Sequence, residues 1–580
     1  MRKILALVIA TAAVGCGGGV PPAAAPAPIR GPAVVGRAVI PTTWTLRSRP
    51  VTAPRAMVVS AHPLATQAGV EILKQGGNAI DAAVAVAFAL EVVLPDAGNI
   101  GGGGFIVHRT AGGEVTALDY REAAPAGATH DMYIDSAGNP TKKSEVGHLA
   151  AGVPGSVAGL YEAWKKYGTL PWASLLAPAI RLAQGHVIDT ARSRDIAADR
   201  DLLAQFPASR AQFLVHDSAP APGTMWRQPD LARTLQLISD SGPDVFYRGQ
   251  IADLIVAEMQ RGGGLITKDD LRRYRAQWRT PIALSYRRHT IYSMPPPSSG
   301  GVTMGEILNI LEGYDTLPAF GTAAYVHLVT EAMRRAFIDR NRWLGDPDFV
   351  AMPLDRLLSK SYAATLRSQI DPQHATPTPP QAASGEAKQT THYSIVDAMG
   401  NAAAVTTTLN GGFGSGVTVT GAGFLLNNEM DDFASAPGKP NMYGLVQGEA
   451  NSIAGGKRML SAMTPSIVLD SAGNLQMVVG TPGGPTIITT VTQVILNVLD
   501  QNMSLADAVA APRIHHQALP DKTYYEHGGL SDSTVQALQA MGHKMEQRRG
   551  HSGIVAAIYK TAGGWVGVAD PRYAGGALGY

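Results

Sequence analysis

"TTHYSIVDAMGNAAAVTTTLN", residues 390–410, consists of two β-like runs joined by a turn near Met399, Gly400 and Asn401. If the turn centres between residues 399 and 400, the numbers of residues that face each other sum to about 799. Thr390 then faces position 409, within a residue or so of Thr408. The sequence therefore predicts a β-hairpin that brings two threonine hydroxyls together, and a threonine pair of this kind is common in sheets.

A threonine hydroxyl is a weak nucleophile unless a base lies beside it. The chain contains no Ser-His-Asp elbow, no HExxH zinc motif and no Walker loop that would supply another mechanism. One known solution is an N-terminal threonine whose own α-amine is the base, which requires a cut directly before Thr390. The preceding stretch, residues 371–389, is polar and proline-rich, which is typical of exposed loops where chains are cut.

The composition indicates a globular enzyme that is rich in loops. The chain has 580 residues, which is enough for two to four domains or one large intertwined domain. Glycine is abundant at 64 residues, whereas aromatic residues make up 6% and charged residues 16%. The formal net charge of +2, without any polybasic run, gives no reason to expect nucleic acid or a membrane surface as a partner.

The N-terminus predicts export. "MRKILALVIATAAVGC", residues 1–16, has two basic residues, an apolar core and small residues before Cys16, which is a secretory signal pattern. Its end is similar to a bacterial lipobox, in which Cys16 is lipidated, although Ala13 stands where leucine is usual. A plain signal peptide cut nearby is the alternative. Cys16 is the only cysteine, so an intramolecular disulfide is impossible.

The Gly-, Ala- and Pro-rich residues 17–55 are expected to form a flexible tether, and no later apolar run is long enough to cross a membrane. Two helices are predicted on either side of the Gly76-Gly77-Asn78 break, and the second, Ala79 to about Val93, is apolar nearly all round and should be buried. Residues after 390 are rich in strands, including "MLSAMTPSIVLD" (459–470). Strands and helices in blocks favour an α+β fold of layered sheets with helices outside.

Long motifs in both halves of the chain resemble the γ-glutamyltranspeptidase family of N-terminal nucleophile hydrolases. "GNIGGGGF", "DYREAAP", "MPPPSSGG" and "DRNRWLGDPDF" are similar to its large subunit, and "NNEMDDF", "GTPGGPTIITTV" and "ADPRYAGGALGY" to its small subunit. The resemblance implies a four-layer αββα sandwich built from both fragments of a self-cleaved precursor. The cut would separate Gln389 from Thr390, leaving a large subunit of residues 56–389 and a small subunit of residues 390–580 that stay associated.

The resemblance also implies an activity. Thr390 would take the γ-glutamyl group of glutathione or another γ-glutamyl amide as an ester and pass it to water or to the amine of an amino acid or peptide. No metal or organic cofactor is implied. Two alternatives stay open: an acylase that acts on glutaryl β-lactams and does not need to recognise an ammonium, and a non-catalytic surface lipoprotein that binds γ-glutamyl ligands.

The family's site positions fall on residues whose chemistry suits a γ-glutamyl group. A carboxylate favours a guanidinium fork, which Arg121 would supply with Ser461, and an ammonium favours the carboxylates Glu429 and Asp432. Position 462, often serine in the family, is Ala462, which puts one carboxylate donor in doubt. The resemblance implies further roles in orienting Thr390 (Thr408), binding the ammonium (Asn410), forming the oxyanion hole (Gly483, Gly484) and gating the pocket from a lid loop (Tyr443).

Each of these residues also has an ordinary structural interpretation. Arg121 could form a surface ion pair, the acidic run around Glu429 could be a solvated turn, and Gly483-Gly484 could be a tight turn, although backbone N–H groups at a helix start can also stabilise an oxyanion. Other eye-catching groups are interpreted as structural: Gly101–Gly104 as close packing, His392 as packing within a strand, and His515-His516 as a pair without further metal ligands.

Overall fold

The structure is a computed structural model that describes residues 38–98, 100–378, 390–548 and 550–580. The predicted signal peptide, Cys16 and Gln389 lie outside the described residues. Within them, the strands are β1 (Val51–Ala53), β2 (Met57–Ser60), β3 (Gly103–Arg109), β4 (Val115–Asp119), β5 (His186–Val187), β6 (Met225–Trp226), β7 (Gln277–Arg279), β8 (Ile282–Tyr286), β9 (His289–Ser293), β10 (Thr391–Val396), β11 (Ala402–Thr408), β12 (Ser466–Leu469), β13 (Leu475–Gly480), β14 (Ile514–His515), β15 (Thr523–Glu526), β16 (Met545–Arg548), β17 (Ala556–Thr561), β18 (Gly564–Ala569) and β19 (Gly576–Gly579).

The α-helices are α1 (Pro63–Lys74), α2 (Ala79–Val93), α3 (Ser156–Tyr167), α4 (Trp172–Gln184), α5 (Thr190–Ala198), α6 (Arg200–Leu203), α7 (Pro207–Phe213), α8 (Pro229–Ser241), α9 (Asp244–Tyr247), α10 (Gln250–Gly262), α11 (Lys268–Arg273), α12 (Gly300–Glu312), α13 (Ala323–Trp343), α14 (Leu354–Leu357), α15 (Lys360–Ser368), α16 (Thr486–Leu499), α17 (Leu505–Ala510) and α18 (Asp532–Ala540). Short 3-10 helices lie at Lys142–Ser144, His148–Ala150, Glu429–Asp432 and Glu449–Asn451.

Two seven-stranded antiparallel sheets stack face to face. The strand order is β1-β18-β17-β13-β12-β9-β8 in the first sheet and β19-β2-β10-β11-β3-β4-β7 in the second. Apolar side chains such as Val59, Val107 and Val478 fill the space between them. Helices α1 and α2 cover the outer face of the second sheet, and α12 and α16 cover that of the first. This is the predicted four-layer αββα sandwich.

Both sheets combine strands from before and after residue 390. In the second sheet, β10 pairs with β2 on one side and β11 pairs with β3 on the other, so the residue 390 hairpin is inserted between strands of the first half of the chain. In the first sheet, β12 pairs with β9. The two halves therefore share one core, and a cut before Thr390 would not separate them into independent domains.

The helix break predicted near residue 77 is confirmed. Gly76 adopts a positive φ of 92°, which ends α1, and Asn78 begins α2 with a capping box to Asp81. All the residues of α2 are buried. The helix is apolar all round because it lies between the second sheet and helices α1 and α4.

The predicted hairpin is present, with its register shifted by one residue. Thr391 pairs with Thr407, so Thr390 lies opposite Thr408 rather than position 409. The shift arises because the turn spans three residues, with Gly400 at a φ of 92° and the Asn401 carbonyl accepting the Asp397 N–H at 3.0 Å. The difference places the two hydroxyls in direct register.

The prediction of a flexible tether as far as residue 55 is wrong for its last part. Trp44 is buried, and its indole N–H donates to the carbonyl of Ala510 at 2.8 Å. Strand β1 pairs with β18 at the edge of the first sheet. The folded body therefore begins before residue 44, because one buried tryptophan and one edge strand outweigh the Pro- and Ala-rich composition around them.

Candidate active site

The hydroxyl oxygens of Thr390 and Thr408 lie 3.1 Å apart, within hydrogen-bond distance. Thr390 directly precedes β10, Thr408 ends β11, and both are buried. The backbone N–H of Asn410 donates to Thr408 Oγ1 at 2.8 Å. This second contact fixes the Thr408 hydroxyl, which in turn holds the Thr390 hydroxyl in one position.

Thr390 and Thr408 line a cavity at the start of β10 and the end of β11, two interior strands of the second sheet. Most of the predicted site residues line the same cavity, although they come from segments that are hundreds of residues apart in the chain. These residues are Arg121, Asn410, Glu429, Asp432, Tyr443, Ser461 and Gly484. Gly483 precedes Gly484 but does not itself line the cavity.

Arg121 follows β4 and is fully buried, so its interpretation as a surface ion pair is wrong. Its two terminal nitrogens form short ion pairs with Glu429 and Asp432, and its Nε donates to the carbonyl of Met459 at 3.2 Å. A third carboxylate, Glu122, lies 3.6 Å from the guanidinium. One buried cation thus lies among three carboxyl groups.

The carboxyl groups around Arg121 are short of positive charge. Burial raises the pKa of Glu429 well above its usual range and the pKa of Asp432 above its usual value, against the opposing effect of Arg121. Glu429 Oε2 is buried and has no hydrogen-bond donor among the described residues. The interpretation of this run as a solvated turn is therefore wrong, and the open acceptor is suited to an ammonium group.

Ser461 is held at the cavity by its backbone. Its N–H donates to the carbonyl of Pro297 at 2.8 Å, and its own carbonyl accepts from the N–H and the hydroxyl of Ser299. Its neighbour Ala462 also lines the cavity and offers no side-chain donor. The strand predicted over residues 459–470 is present only at Ser466–Leu469. The residues before it lie outside the sheet and line one wall of the cavity.

Gly483 and Gly484 connect β13 to α16 with positive φ angles of 134° and 55°. Their carbonyls cap α16 by accepting from the N–H groups of Thr486 and Ile487, each at 3.1 Å. In the part of the chain that the structure describes, the N–H groups of the two glycines have no acceptor. Unused N–H groups at a helix start, beside a nucleophile, can stabilise a developing negative charge on oxygen.

Tyr443 covers the cavity. Its hydroxyl donates to the carbonyl of Asn410 at 2.7 Å, and a Cβ atom added at Gly484 would lie 2.8 Å from its ring. The loop that carries Tyr443 is tied down at Met442, whose N–H donates to Asp431 at 3.0 Å. Tyr443 therefore contacts the Thr390–Thr408 hairpin segment at Asn410 and the glycine turn at the same time.

Several cavity residues were not predicted from the sequence. Arg340 on α13 is the only charged one among those missed, and it lies within the quoted "DRNRWLGDPDF" motif, which was the available signal. The others are apolar or lie at the start of α16, and they contribute shape: Leu445, Leu460, Met463, Pro485 and Ile487.

The groups interpreted as structural are packed as expected. A Cβ atom added at Gly101 or Gly104 would meet backbone oxygens at 1.9 or 2.4 Å, so these glycines allow close approach of neighbouring backbone segments. His392 is buried, with Nδ1 2.8 Å from Thr406 Oγ1. Burial lowers its pKa to about 3, which keeps the ring neutral. His515 hydrogen-bonds Thr489 and Gln517.

The Gamma-glutamyltranspeptidase family model matches residues 65–580. The chain belongs to this family. It is 47% identical over 531 residues to the glutathione hydrolase proenzyme of Escherichia coli (strain K12), covering 90% of this chain and 91% of that one. It is 48% identical over 548 residues to the glutathione hydrolase proenzyme of Pseudomonas sp. (strain A14), covering 92% and 95%.

The fold is shared with a solved structure of a relative. The crystal structure of cephalosporin acylase from Bacillus halodurans superposes with a TM-score of 0.82 at 30% sequence identity, covering 93% of this chain and 98% of that one.

Among the described residues, no helix has the length and apolar character needed to cross a membrane.

Proposed function

We propose that this chain is a self-processing γ-glutamyltransferase that cleaves glutathione and other γ-glutamyl amides. The observation that carries the proposal is the Thr390–Thr408 hydroxyl pair at a cavity whose charged groups include Arg121, Glu429 and Asp432. A γ-glutamyl group presents one carboxylate and one ammonium. The cavity presents the Arg121 guanidinium and carboxyl groups with an open acceptor, which complement both charges.

Self-cleavage would begin at the bond between Gln389 and Thr390. Thr390 Oγ attacks the carbonyl carbon of Gln389, the C–N bond breaks, and the acyl group moves from nitrogen to oxygen to give an ester. Water hydrolyses this ester, which leaves a carboxylate on Gln389 and frees both the hydroxyl and the amine of Thr390. The freed amine is the base that a threonine nucleophile needs.

The same hydroxyl would then act on the substrate. Arg121 and Ser461 bind the α-carboxylate, while Glu429, Asp432 and Asn410 bind the α-ammonium and thereby place the γ-carbonyl at Thr390. The N–H groups of Gly483 and Gly484 stabilise the oxyanion as the γ-glutamyl-Thr390 ester forms and the amine leaves. Water, or the amine of an amino acid or peptide, resolves the ester with Tyr443 closed over it.

The proposal includes export to the periplasm or cell surface, with Cys16 as the site of lipid attachment. It rests on the N-terminal signal pattern of residues 1–16. After cleavage the two fragments would stay associated, because each sheet contains strands from both. A non-catalytic role for the chain is disfavoured because the nucleophile, its partner hydroxyl and the glycine pair are all in place.

A β-lactam acylase is the second candidate, since the acylase structure from Bacillus halodurans shares this fold. A glutaryl group lacks the ammonium, so an acylase of that kind would not need Glu429 and Asp432. The deciding assay compares kcat/KM for γ-glutamyl-p-nitroanilide and glutaryl-p-nitroanilide with purified, processed protein. We expect a clear preference for the γ-glutamyl compound; a preference for glutaryl would reject the proposed function.

A further inference from the structure

Arg340 is a buried cation in the wall of the cavity that the proposed mechanism leaves unused. It lies near the C-terminal end of α13 with 1% of its surface accessible. Its Nε donates to Ser299 Oγ at 3.2 Å, and its Nη1 donates to the side-chain oxygens of Asn341 and Gln447, each at 3.0 Å. All three acceptors are neutral.

Buried guanidinium groups normally lie against carboxylates, because an unpaired buried charge is costly. Arg192, Arg458 and Arg513 are comparably buried, and each forms an ion pair with an aspartate. Arg340 forms no ion pair with any carboxylate of the described residues, and its Nη2 donates to none of them. It therefore has unused hydrogen-bonding capacity and no direct ion-pair partner at the cavity.

The charges of the cavity point in the same direction. Arg121 occupies both Glu429 and Asp432, so these carboxyl groups are not free to pair with Arg340. Burial lowers the pKa of Arg340 to about 10 while Asp432 opposes the change, so the guanidinium stays protonated at neutral pH. The cavity thus holds a second guanidinium that makes no direct ion pair and can donate to an incoming carboxylate.

Arg340 also connects to the wall that carries Ser461. Ser299 accepts from Arg340 and donates its hydroxyl to the carbonyl of Ser461 at 2.6 Å. Next to Ser461, Ala462 lines the cavity without a donor. A cation that lines the cavity and is hydrogen-bonded to this wall lies at the carboxylate end of the site, where Ala462 offers no hydroxyl.

We propose that Arg340 is a second carboxylate-binding residue, which holds the α-carboxylate of the γ-glutamyl group together with Arg121 and supplies the donors that Ala462 lacks. This proposal rests on the proposed function. It makes Arg340 a determinant of specificity for acyl groups that end in a carboxylate.

A positioning role is the competing explanation. Gln447 accepts from Arg340 and donates to the carbonyl of Asp432 at 3.0 Å, and Asn451 donates to the same carbonyl at 2.7 Å. Through this chain Arg340 could hold Asp432, and so support ammonium binding instead. The two roles predict losses on different substrates.

Three p-nitroanilides separate the roles: γ-glutamyl carries both charged groups, glutaryl only the carboxylate, and 4-aminobutyryl only the ammonium. For Arg340→Gln we expect kcat/KM to fall by about tenfold to a hundredfold with the γ-glutamyl and glutaryl compounds, mainly through KM, and to stay within about threefold with 4-aminobutyryl. Arg342→Gln, at an exposed position on the same helix, is the control and should leave all three unchanged.

A loss on the 4-aminobutyryl compound as large as on the others, or a loss confined to the two ammonium-bearing compounds, would overturn the proposal. No loss on any substrate would do the same. If Arg340→Gln fails to fold and cleave itself, Arg340→Lys and Ala462→Ser decide. Arg340→Lys should lower kcat/KM only for the two carboxylate-bearing substrates, and adding Ala462→Ser to Arg340→Lys should restore part of that loss. Equal losses of kcat/KM on all three substrates would again reject the proposal.

The outcome is distinguishable from a failure of the proposed function. Preference of the unmodified protein for γ-glutamyl over glutaryl tests the function, whereas the pattern of losses in the Arg340 variants tests the role of Arg340. Failure of the unmodified protein to turn over any of the three compounds would overturn both.

Discussion

The hydroxyl oxygens of Thr390 and Thr408 lie 3.1 Å apart across the pairing of the β10–β11 hairpin, and Thr408 is itself fixed by the N–H of Asn410 at 2.8 Å. The hairpin alone would make this an ordinary cross-strand pair. Its position at the edge of a charged, buried cavity makes it the reacting centre in our account.

Removal of the Thr408 hydroxyl should slow both self-cleavage and turnover. For Thr408→Val, which preserves shape, we expect kcat for the γ-glutamyl anilide to fall by roughly a hundredfold, because Thr390 loses the group that orients it. Thr408→Ser should retain most of the activity. Denaturing gels of samples quenched at successive times give the rate of self-cleavage, and initial rates of the processed protein give kcat.

Thr407→Val is the matched control for Thr408. Thr407 lies on the opposite face of β11, and its hydroxyl donates to the carbonyl of Gly103 at 2.8 Å. Its loss should reduce stability without slowing chemistry. Equal effects of the two substitutions on kcat would show that Thr408 acts only through the sheet.

Alanine at Gly484 should impair catalysis beyond the strain of its backbone. A Cβ atom there would lie 2.8 Å from the Tyr443 ring, and the residue has a positive φ of 55°. We expect at least about a tenfold loss in kcat, because the oxyanion N–H groups and the lid both shift. The measurement is kcat and KM of the processed variant.

Gly473→Ala supplies the comparison for Gly484. Gly473 has a φ of 83° in a turn where an added Cβ would meet nothing within 4 Å. This variant carries the backbone strain, of about 1 kcal/mol, without the contact. A loss of kcat as large as that of Gly484→Ala would attribute the effect to strain rather than to the site.

Asp431 should make the stability of the folded protein depend on pH. It is buried, and its carboxylate accepts from Ser144 Oγ at 2.7 Å and from the Met442 N–H at 3.0 Å. Burial, with help from Asp432 and Glu145, raises its pKa from 3.8 to about 7. Between these values the folded protein binds a proton that the unfolded chain has released, so the group's contribution to stability falls as pH rises and is constant above about pH 7.

Asp431→Asn removes this titration. The free energy of unfolding of the variant, relative to that of the unmodified protein, should therefore rise by roughly 1 kcal/mol per pH unit from pH 5 to pH 7 and level off above. The difference in Tm between the two proteins, measured at each pH, should follow the same profile. Asp315→Asn, at an exposed bend, is the control for an aspartate-to-asparagine substitution as such. A flat profile for Asp431→Asn would contradict the assignment.

Trp44 should anchor the N-terminal segment to the folded body. Its ring is buried beneath the guanidinium of Arg572, 5.4 Å from the ring centre, and its N–H donates to Ala510. Trp44→Ala should cost about 3 kcal/mol and lower Tm by several degrees, as expected for a buried aromatic residue. The exposed neighbouring substitution Thr45→Ala should leave Tm unchanged, and an unchanged Tm for Trp44→Ala would show that the segment is dispensable.

The local sequence pattern was sufficient to predict the secondary-structure elements but not the residues of the candidate active site. The alternation around Thr390 predicted the hairpin, and the apolar run after Ala79 predicted a buried helix, because both follow from the periodicity of the chain. The exact register depended on a three-residue turn whose Gly400 conformation periodicity does not encode. The resemblance to the family, not the spacing of residues, brought Arg121 and Glu429 into one site.

Arg340 and Trp44 show why the rest was missed. Arg340 is distinguished from other buried arginines because no carboxylate of the described residues forms an ion pair with it. Ion pairs between distant segments cannot be predicted from one sequence. Trp44 lies in a segment whose composition is that of a tether, and its burial depends on the carbonyl of Ala510, which is far away in the chain. Both features depend on the tertiary surroundings of the residue, which local composition does not encode.

The N-terminal sequence and mass of the fragments of purified protein test the central claim most directly. We predict two fragments, the smaller beginning Thr390-Thr391-His392, and a single uncut chain for Thr390→Ala. A chain that stays uncut while it hydrolyses γ-glutamyl amides, a cut at another bond, or normal cleavage of Thr390→Ala would contradict the account.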